Sequence, residues 1–132
     1  MSDRPVDIAR KAFAAFAARD IEALLPLLDP DVEFLPVTAM ITSDGEPYRG
    51  HEGMRRYFED VERVWDELRV TPRDFSLHGE YVVAVGRVYA HGQGRVVDSP
   101  AAWVWRFREG RIVWGKVFPD PVDAVAYAAA AV

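Results

Sequence analysis

Hydrophobic residues recur at intervals of three and four along two stretches of the chain, which is the spacing of one face of an α-helix. In the first stretch Ile8, Ala12 and Phe16 share a face, and Pro5 suits the first helical turn, where a missing N–H needs no partner. The later stretch carries charged residues on its opposite face. We therefore predict an N-terminal helix that ends near Arg19, and a longer amphipathic helix with the apolar stripe Met54, Tyr57, Phe58, Val61, Trp65 and Leu68.

The segment between these two helices predicts a short helix, a short strand and a loop. Asp20 is a suitable N-cap for a helix that carries Ile21, Leu24 and Leu25, but Pro26 would keep this helix brief or kinked because its ring clashes with the preceding turn. Residues 32–35 favour a strand. Residues 36–50 have little periodicity and contain turn-forming residues, which predicts a loop.

From residue 70 onward the chain is rich in β-prone residues, interrupted by glycine-containing turns. Pro72 suits an edge strand or a bulge, since proline cannot donate to a ladder of hydrogen bonds. Asp120 and Pro121 then introduce a terminal helix that ends near Ala130. The predicted strands are residues 70–78, 81–91, 95–108 and 111–118.

Composition restricts the classes of function. The 132 residues suit one domain, taken as residues 1–132, with a single core. The net charge of -5 argues against a nucleic-acid partner, whose phosphates would be repelled. The lack of cysteine excludes disulfides and thiolate metal sites, and no apolar run reaches the ~18 residues of a membrane span. Asp3 and Asp7 argue against a signal peptide, so we expect a soluble cytoplasmic protein without membrane contact.

Five short sequences, spread over nearly the whole chain, carry a resemblance to a known family. They are residues 14–25 (AAFAARDIEALL), 27–34 (LLDPDVEF), 48–54 (YRGHEGM), 104–113 (VWRFREGRIV) and 118–121 (FPDP). Together with the order of elements, they resemble the SnoaL-like branch of the nuclear transport factor two-like superfamily. The resemblance implies an α+β fold: a cone-shaped α+β barrel in which a strongly curved antiparallel sheet wraps around three N-terminal helices, with a short C-terminal helix and a conical cavity.

The resemblance predicts the fold more narrowly than the function, because the superfamily includes isomerases, polyketide cyclases, epoxide hydrolases, dehydratases and non-catalytic binders. Its ketosteroid isomerases use a carboxylate base, a tyrosine and a protonated aspartic acid. The corresponding places fall near Pro36, Ala12 and Trp103, none of which supplies the required group. Where the cyclases carry an acid on the last strand, this chain has Lys116. We therefore expect the isomerase mechanism to be absent.

We expect the cavity to bind a small apolar ligand. Pockets of this kind are lined mostly by apolar side chains, with few polar anchors. Tyr48, at the end of the predicted loop, should lie beside the mouth of the cavity, where it packs or donates a hydrogen bond to a ligand. The ligand-binding candidates are Phe13, Phe16, Phe34, Met40, Tyr48, Tyr57, Phe58, Trp65, Arg87 and Trp103.

A catalytic role requires a titratable group inside the cavity. Arg87, Tyr89 and His91 share one face of the strand 81–91. They form a polar cluster in the cavity if that face points inward, and rim or dimer residues if it points outward. Asp98 could act as a general acid or base in an apolar cavity, the alternative being a solvated edge residue. The catalytic candidates are Asp98, His91, Tyr89 and Glu33.

Three functions remain open at this point. The chain is a binder of small hydrophobic molecules, a cofactor-independent isomerase, cyclase or hydrolase, or a non-catalytic dimerisation module. Aromatic residues on both faces of the last strands, such as Trp105 and Trp114, favour a homodimer formed through the sheet. No cofactor is expected, and three scattered histidines without acidic partners at ligand spacing predict no metal site. We favour the homodimeric binder.

Overall fold

The computed structural model describes residues 4–42 and 45–130, with side chains for all of these except Met40 and Ile41. In this part of the chain the elements are α1 (Pro5–Ala17), α2 (Ile21–Leu24), a 3₁₀ turn (Leu25–Leu27), β1 (Leu28–Leu35), α3 (Ala39–Thr42), β2 (Tyr48–Arg49), α4 (Gly50–Val64), β3 (Glu67–His78), β4 (Tyr81–Gly92), β5 (Arg95–Arg108), β6 (Arg111–Phe118) and α5 (Pro121–Ala130).

The six strands form one curved sheet in the order β2–β1–β6–β5–β4–β3. Neighbouring strands run antiparallel, except that β1 runs parallel to β6. The expected α+β cone is therefore confirmed, but its sheet is mixed and not fully antiparallel. A parallel pair needs a long connection between its strands. Here the helices α3 and α4 and the four strands β2 to β5 lie between β1 and β6.

The edge strand β3 carries the predicted irregularity at Pro72. The register between β3 and β4 shifts between Pro72 and Asp74. Gly86 of β4 faces this bulge so closely that a Cβ there would lie 1.9 Å from the carbonyl oxygen of Thr71. A bulge increases local bending and twist, so it helps the sheet to curve around the helices.

The sheet has helices on both faces. Helices α1 and α4 pack against the concave inner face, and the stripe of Ile8, Ala12 and Phe16 is buried there as predicted. Helix α5 covers part of the outer face and forms a second apolar cluster with β4 and β5. That cluster contains Tyr81, Val83, Ala102, Val104, Ala124 and Ala128. Among the described residues, no helix is long and apolar enough to cross a membrane.

The long amphipathic helix is confirmed, but it ends before its apolar stripe does. Trp65 is already extended, with φ -112° and ψ 134°, and Leu68 belongs to β3. The chain turns here against the end of β4, where a Cβ on Gly92 would lie 2.5 Å from the carbonyl oxygen of Val64. Trp65 and Leu68 therefore reach the core from a turn and a strand, and not from a continuous helix.

Two short elements were not predicted: α3 and β2 lie within the segment expected to be a loop. The first strand also begins earlier than expected, at Leu28 and not at Val32. The brief second helix is confirmed, since α2 ends at Leu24 and Pro26 lies in the 3₁₀ turn that follows.

Candidate functional site

Alternate residues of β4 point to opposite sides of the sheet, and the structure shows which side is the interior. Val88 and Ala90 line an internal cavity. Arg87, Tyr89 and His91 lie on the outer face, where the Arg87 side chain is about half exposed at 49%. The prediction that Arg87 lies in the cavity is therefore wrong, because the pleat of β4 points its odd-numbered residues outward.

The cavity lies between the inner face of the sheet and helices α1 and α4. The cavity has a volume of about 60 Å³, which is several times the ~10–15 Å³ that a single water molecule needs. Six of the predicted ligand-binding residues lie on its wall. These are Phe13, Phe16, Phe34, Tyr57, Trp65 and Trp103.

Packed aromatic rings form one side of this wall. Phe13 contacts Trp103 edge to face, with 5.2 Å between ring centroids, and contacts Trp105 at 5.9 Å. Phe34 stacks on Trp105 at 5.2 Å and meets Tyr57 edge to face at the same distance. Each such pair adds about 0.5–1.5 kcal/mol beyond the burial of area. These contacts hold the wall in one geometry, so a ligand need not order it.

The polar groups of the wall meet at Thr38, which is almost fully buried. Trp65 Nε1 donates to Thr38 Oγ1 at 3.0 Å, and the same side chain acts on the Tyr57 hydroxyl, where it opposes the rise in the pKa of that group. Burial raises the pKa of Tyr57 far above the ordinary value for tyrosine. The phenol is therefore protonated at neutral pH and cannot act there as a base.

Trp105 contributes a second polar group to the wall. Its indole N–H is buried and, among the described residues, has no hydrogen-bond partner. The rest of its ring packs between Phe13 and Phe34, as described above.

Tyr48 lies behind the wall and not at the mouth of the cavity. Its hydroxyl donates to Asp60 Oδ2 at 2.7 Å and is hydrogen-bonded to Thr42. Arg63 donates to Asp60 Oδ1 at 2.8 Å. Asp60, expected on the solvated face of the helix, is only 9% exposed. Of the two roles predicted for Tyr48, the structure shows packing, because its hydroxyl is already bonded within the protein.

Two further ligand-binding candidates are Phe58 and Met40. Phe58 packs edge to face against Phe16, with 5.5 Å between centroids, and supports the wall from behind. Met40 belongs to α3, and its side chain lies outside the described residues.

The carboxylate candidates lie outside the cavity. Asp98 Oδ1 accepts a hydrogen bond from Arg87 at 2.9 Å on the outer face, and its side chain is 58% exposed. Glu33 accepts from Arg49 at 3.1 Å, across the β1–β2 pair. The predicted alternative for Asp98, a solvated residue, is the arrangement found. Both carboxylates are solvated ion pairs, so neither can supply an acid or base to a ligand in the cavity.

The other two catalytic candidates also face outward. Tyr89 lies beneath the Arg69 guanidinium, 5.0 Å from the ring centroid. His91 is 3.5 Å from a carboxylate oxygen of Glu67 and 3.9 Å from one of Asp66. Across residues 4–42 and 45–130, no three histidine, aspartate or glutamate side chains come together where they could hold a metal ion.

Sequence reasoning missed three polar residues of this region: Thr38, Asp60 and Trp105. A signal existed for Trp105, which shares a strand face with the predicted wall residue Trp103. The segment around Thr38 has no periodicity from which its burial could be inferred. Asp60 sits among charged residues of α4, and its burial depends on Tyr48, which comes from another element.

Comparison with known proteins agrees with this architecture. The family model described as SnoaL-like domain matches residues 9–114, most of the chain. Among curated proteins, none matches the chain in sequence.

Solved structures share the fold from end to end. An NTF2-like protein of unknown function from Burkholderia pseudomallei is 26% identical with a TM-score of 0.76, over 92% of this chain and 94% of that one. TerC, co-crystallised with polyporic acid, is 26% identical with a TM-score of 0.76, over 93% and 96%. An NTF2-like protein from Burkholderia thailandensis is 25% identical with a TM-score of 0.77, over 96% and 97%.

Proposed function

We propose that this chain, which belongs to the SnoaL-like domain family, binds a small hydrophobic molecule in its internal cavity. One observation carries the proposal: the wall is aliphatic and aromatic apart from the polar groups at Thr38, Tyr57, Trp65 and the two indoles of β5. Transfer of apolar ligand surface from water to such a wall is favourable by roughly 25 cal/mol per Å².

The wall also restricts the ligand. Among the described residues of the wall there is no lysine, arginine, histidine, aspartate or glutamate, so a charged ligand would lose its hydration without gaining a partner there. An uncharged ligand is therefore favoured. TerC, a protein of similar structure, was co-crystallised with polyporic acid, which supports a ligand for a cavity of this kind.

Catalysis is the second candidate function, and it must rely on residues other than the four catalytic candidates predicted from the sequence. Asp98, His91, Tyr89 and Glu33 lie outside the cavity. Of the residues on the described wall, Tyr57 alone is titratable. Its raised pKa suits hydrogen-bond donation to a developing negative charge, and it does not suit proton abstraction. Binding is therefore the function that the geometry supports best.

A homodimer formed through the sheet is part of the proposal. The outer face carries an aromatic group made of Tyr81, Trp114, Phe118 and Tyr127. Tyr127 of α5 is still 42% exposed, so this group could contact a second copy. Light scattering would test the dimer: we expect twice the 14.9 kDa mass of the chain.

A cytoplasmic location also stays a prediction, which fractionation of the source cells would test.

The binding proposal is tested by native mass spectrometry of protein purified from its own host. We expect a retained small molecule that is lost on denaturation. Val97→Phe adds bulk to the cavity wall and should reduce its occupancy. Val96→Phe is the matched control, because it makes the same change one residue away at a side chain that is 71% exposed. If neither a retained molecule nor any small aromatic compound binds, the proposal is wrong.

A further inference from the structure

The indole N–H of Trp105 is a buried donor that the fold leaves unused. Trp105 is 9% exposed, and among the described residues Nε1 has no hydrogen-bond partner. Buried polar groups in folded proteins nearly always have a partner, so an exception needs a reason. If packing were the reason, a phenylalanine would fill much of the same space without burying a donor.

The geometry of the ring is fixed by its neighbours. Trp105 pairs across the β5–β6 ladder with Gly115. A Cβ on Gly115 would lie 2.3 Å from both Cε3 and Cζ3 of the indole. The six-membered ring therefore occupies the space above Gly115, and Nε1 lies on the opposite edge of the indole. Phe34 and Phe13 pack against the same ring, so it cannot turn toward another acceptor.

The N–H of Trp105 differs in its surroundings from the N–H of Trp65, an indole of the same wall that has a partner. Trp65 Nε1 is 3.0 Å from Thr38 Oγ1 and is satisfied within the protein. Trp105 lies on the wall beside Phe13 and Phe34, whose side chains offer no acceptor. Since no described residue accepts from Trp105 Nε1, a molecule in the cavity is the acceptor to be tested.

We infer that Trp105 Nε1 donates a hydrogen bond to a carbonyl-type oxygen of an uncharged, flat ligand and thereby orients that ligand. The inference rests on the proposed binding function and names the class of ligand. A carbonyl oxygen accepts without bringing a donor of its own into the apolar wall. Flat ligands suit the parallel and edge-on rings that bound the cavity.

The experiment compares 1-indanone with indane, which share a fused-ring skeleton and differ in the carbonyl group. Dissociation constants are obtained by titrating the protein, labelled with ¹⁵N on its tryptophans, and following the four indole N–H signals. The Trp105 signal is assigned by its loss in Trp105→Phe. We expect the indanone titration to shift this signal downfield, and the indane titration not to do so.

The variants make the comparison quantitative. The preference for indanone over indane should fall about five- to tenfold in Trp105→Phe, the effect of losing one buried hydrogen bond. Phe16→Leu is the control on the same wall, because it reduces the apolar surface and removes no hydrogen-bond donor. It should weaken the binding of both compounds and leave the ratio of their dissociation constants within about twofold.

Each outcome decides between the two proposals. If both compounds bind but their ratio is unchanged in Trp105→Phe, the role of Trp105 is overturned and the binding function stands. If neither compound binds the wild-type protein, the inferred ligand class is overturned, and native mass spectrometry then decides the binding function separately. Should Trp105→Phe fold poorly, the downfield shift in the wild-type protein still decides: an equal shift with indane overturns the inference.

Discussion

The hydroxyl of Tyr48 lies 2.7 Å from the Asp60 carboxylate, which is buried on helix α4 beside Tyr57 and Val64. Tyr48 belongs to the short strand β2, and it is also hydrogen-bonded to Thr42 of α3. Asp60 is thereby the point at which two short elements are attached to the long helix. Because these elements lie behind the cavity wall, the bond helps to hold Thr38 and Tyr57 in place.

Replacing Asp60 by asparagine should destabilise the protein by about 1–3 kcal/mol at neutral pH, because bonds to a charged acceptor are lost. Burial by itself would raise the pKa of Asp60, but hydrogen bonds from Arg63 and Tyr48 outweigh it and hold that pKa below its ordinary value. The stabilisation is then present above the unfolded pKa of about 3.9 and is lost as pH falls through the lower folded pKa. Urea denaturation of the wild-type protein and of Asp60→Asn, at pH 7 and near pH 3, measures this difference in stability.

The matched control for this prediction is Glu59→Gln, which makes the same chemical change at an exposed neighbour on the same helix. It should alter stability by less than about 0.5 kcal/mol. If Asp60→Asn is as mild as the control at pH 7, or if its effect grows as the pH falls, the role given to the carboxylate is wrong.

The phenol of Tyr48 should ionise later than an ordinary tyrosine. Burial raises its pKa to about 12, the Thr42 bond opposes that shift, and the bond to Asp60 adds to it. Stability from the protonated phenol is present below the unfolded pKa of about 10 and is lost as pH rises toward the folded value. Phenolate absorbance is recorded directly after a rapid pH jump, before unfolding. In Tyr48→Phe, the part of the absorbance change that occurs near pH 12 should be lost. If the part near pH 10 is lost instead, the raised pKa does not belong to Tyr48.

Gly86 is predicted to be intolerant of any side chain, because the bulge of β3 fills the space. Gly86→Ala would bring a Cβ to 1.9 Å from the carbonyl oxygen of Thr71. The backbone of both strands must move, so we expect the free energy of unfolding to fall by about 3 kcal/mol or more. Gly94→Ala is the control, since nothing lies within 4 Å and only its φ of +77° opposes a side chain. It should cost about 1–2 kcal/mol, and equal losses at both sites would contradict the prediction.

Helix α5 should depend on the aromatic contacts that Tyr127 makes with Tyr81, Trp114 and Phe118. Tyr127 stacks on Trp114 with 5.5 Å between centroids and an interplanar angle of 19°. Tyr127→Ala should lower the free energy of unfolding by about 1–2 kcal/mol and change the fluorescence of Trp114. Val122→Ala on the same helix, at a residue that is 73% exposed, serves as control. Similar effects of the two substitutions would show that α5 is not held by these contacts.

The elements of the fold were largely predictable because their signals are local. The stripe in α4, the β-prone segments and the turns between them depend on residues a few positions apart. The end of α4 was not predictable in this way, since Trp65 and Leu68 keep the apolar spacing of a helix beyond Val64. There the close approach of Gly92 to the Val64 carbonyl accompanies the turn, and that contact joins distant parts of the chain.

By itself, the sequence determined the long helices and strands, though not α3 or β2, and that the interior is apolar and aromatic. Only the tertiary structure decided which face of β4 forms the cavity. Helix α5 buries Tyr81 and Val83 on the outer face, while Val88 and Ala90 are buried on the inner one. When both faces of a strand are covered, its alternation no longer distinguishes interior from exterior. The same packing places Arg87 and Asp98 on the outer face and leaves the Trp105 N–H buried, without a partner among the described residues.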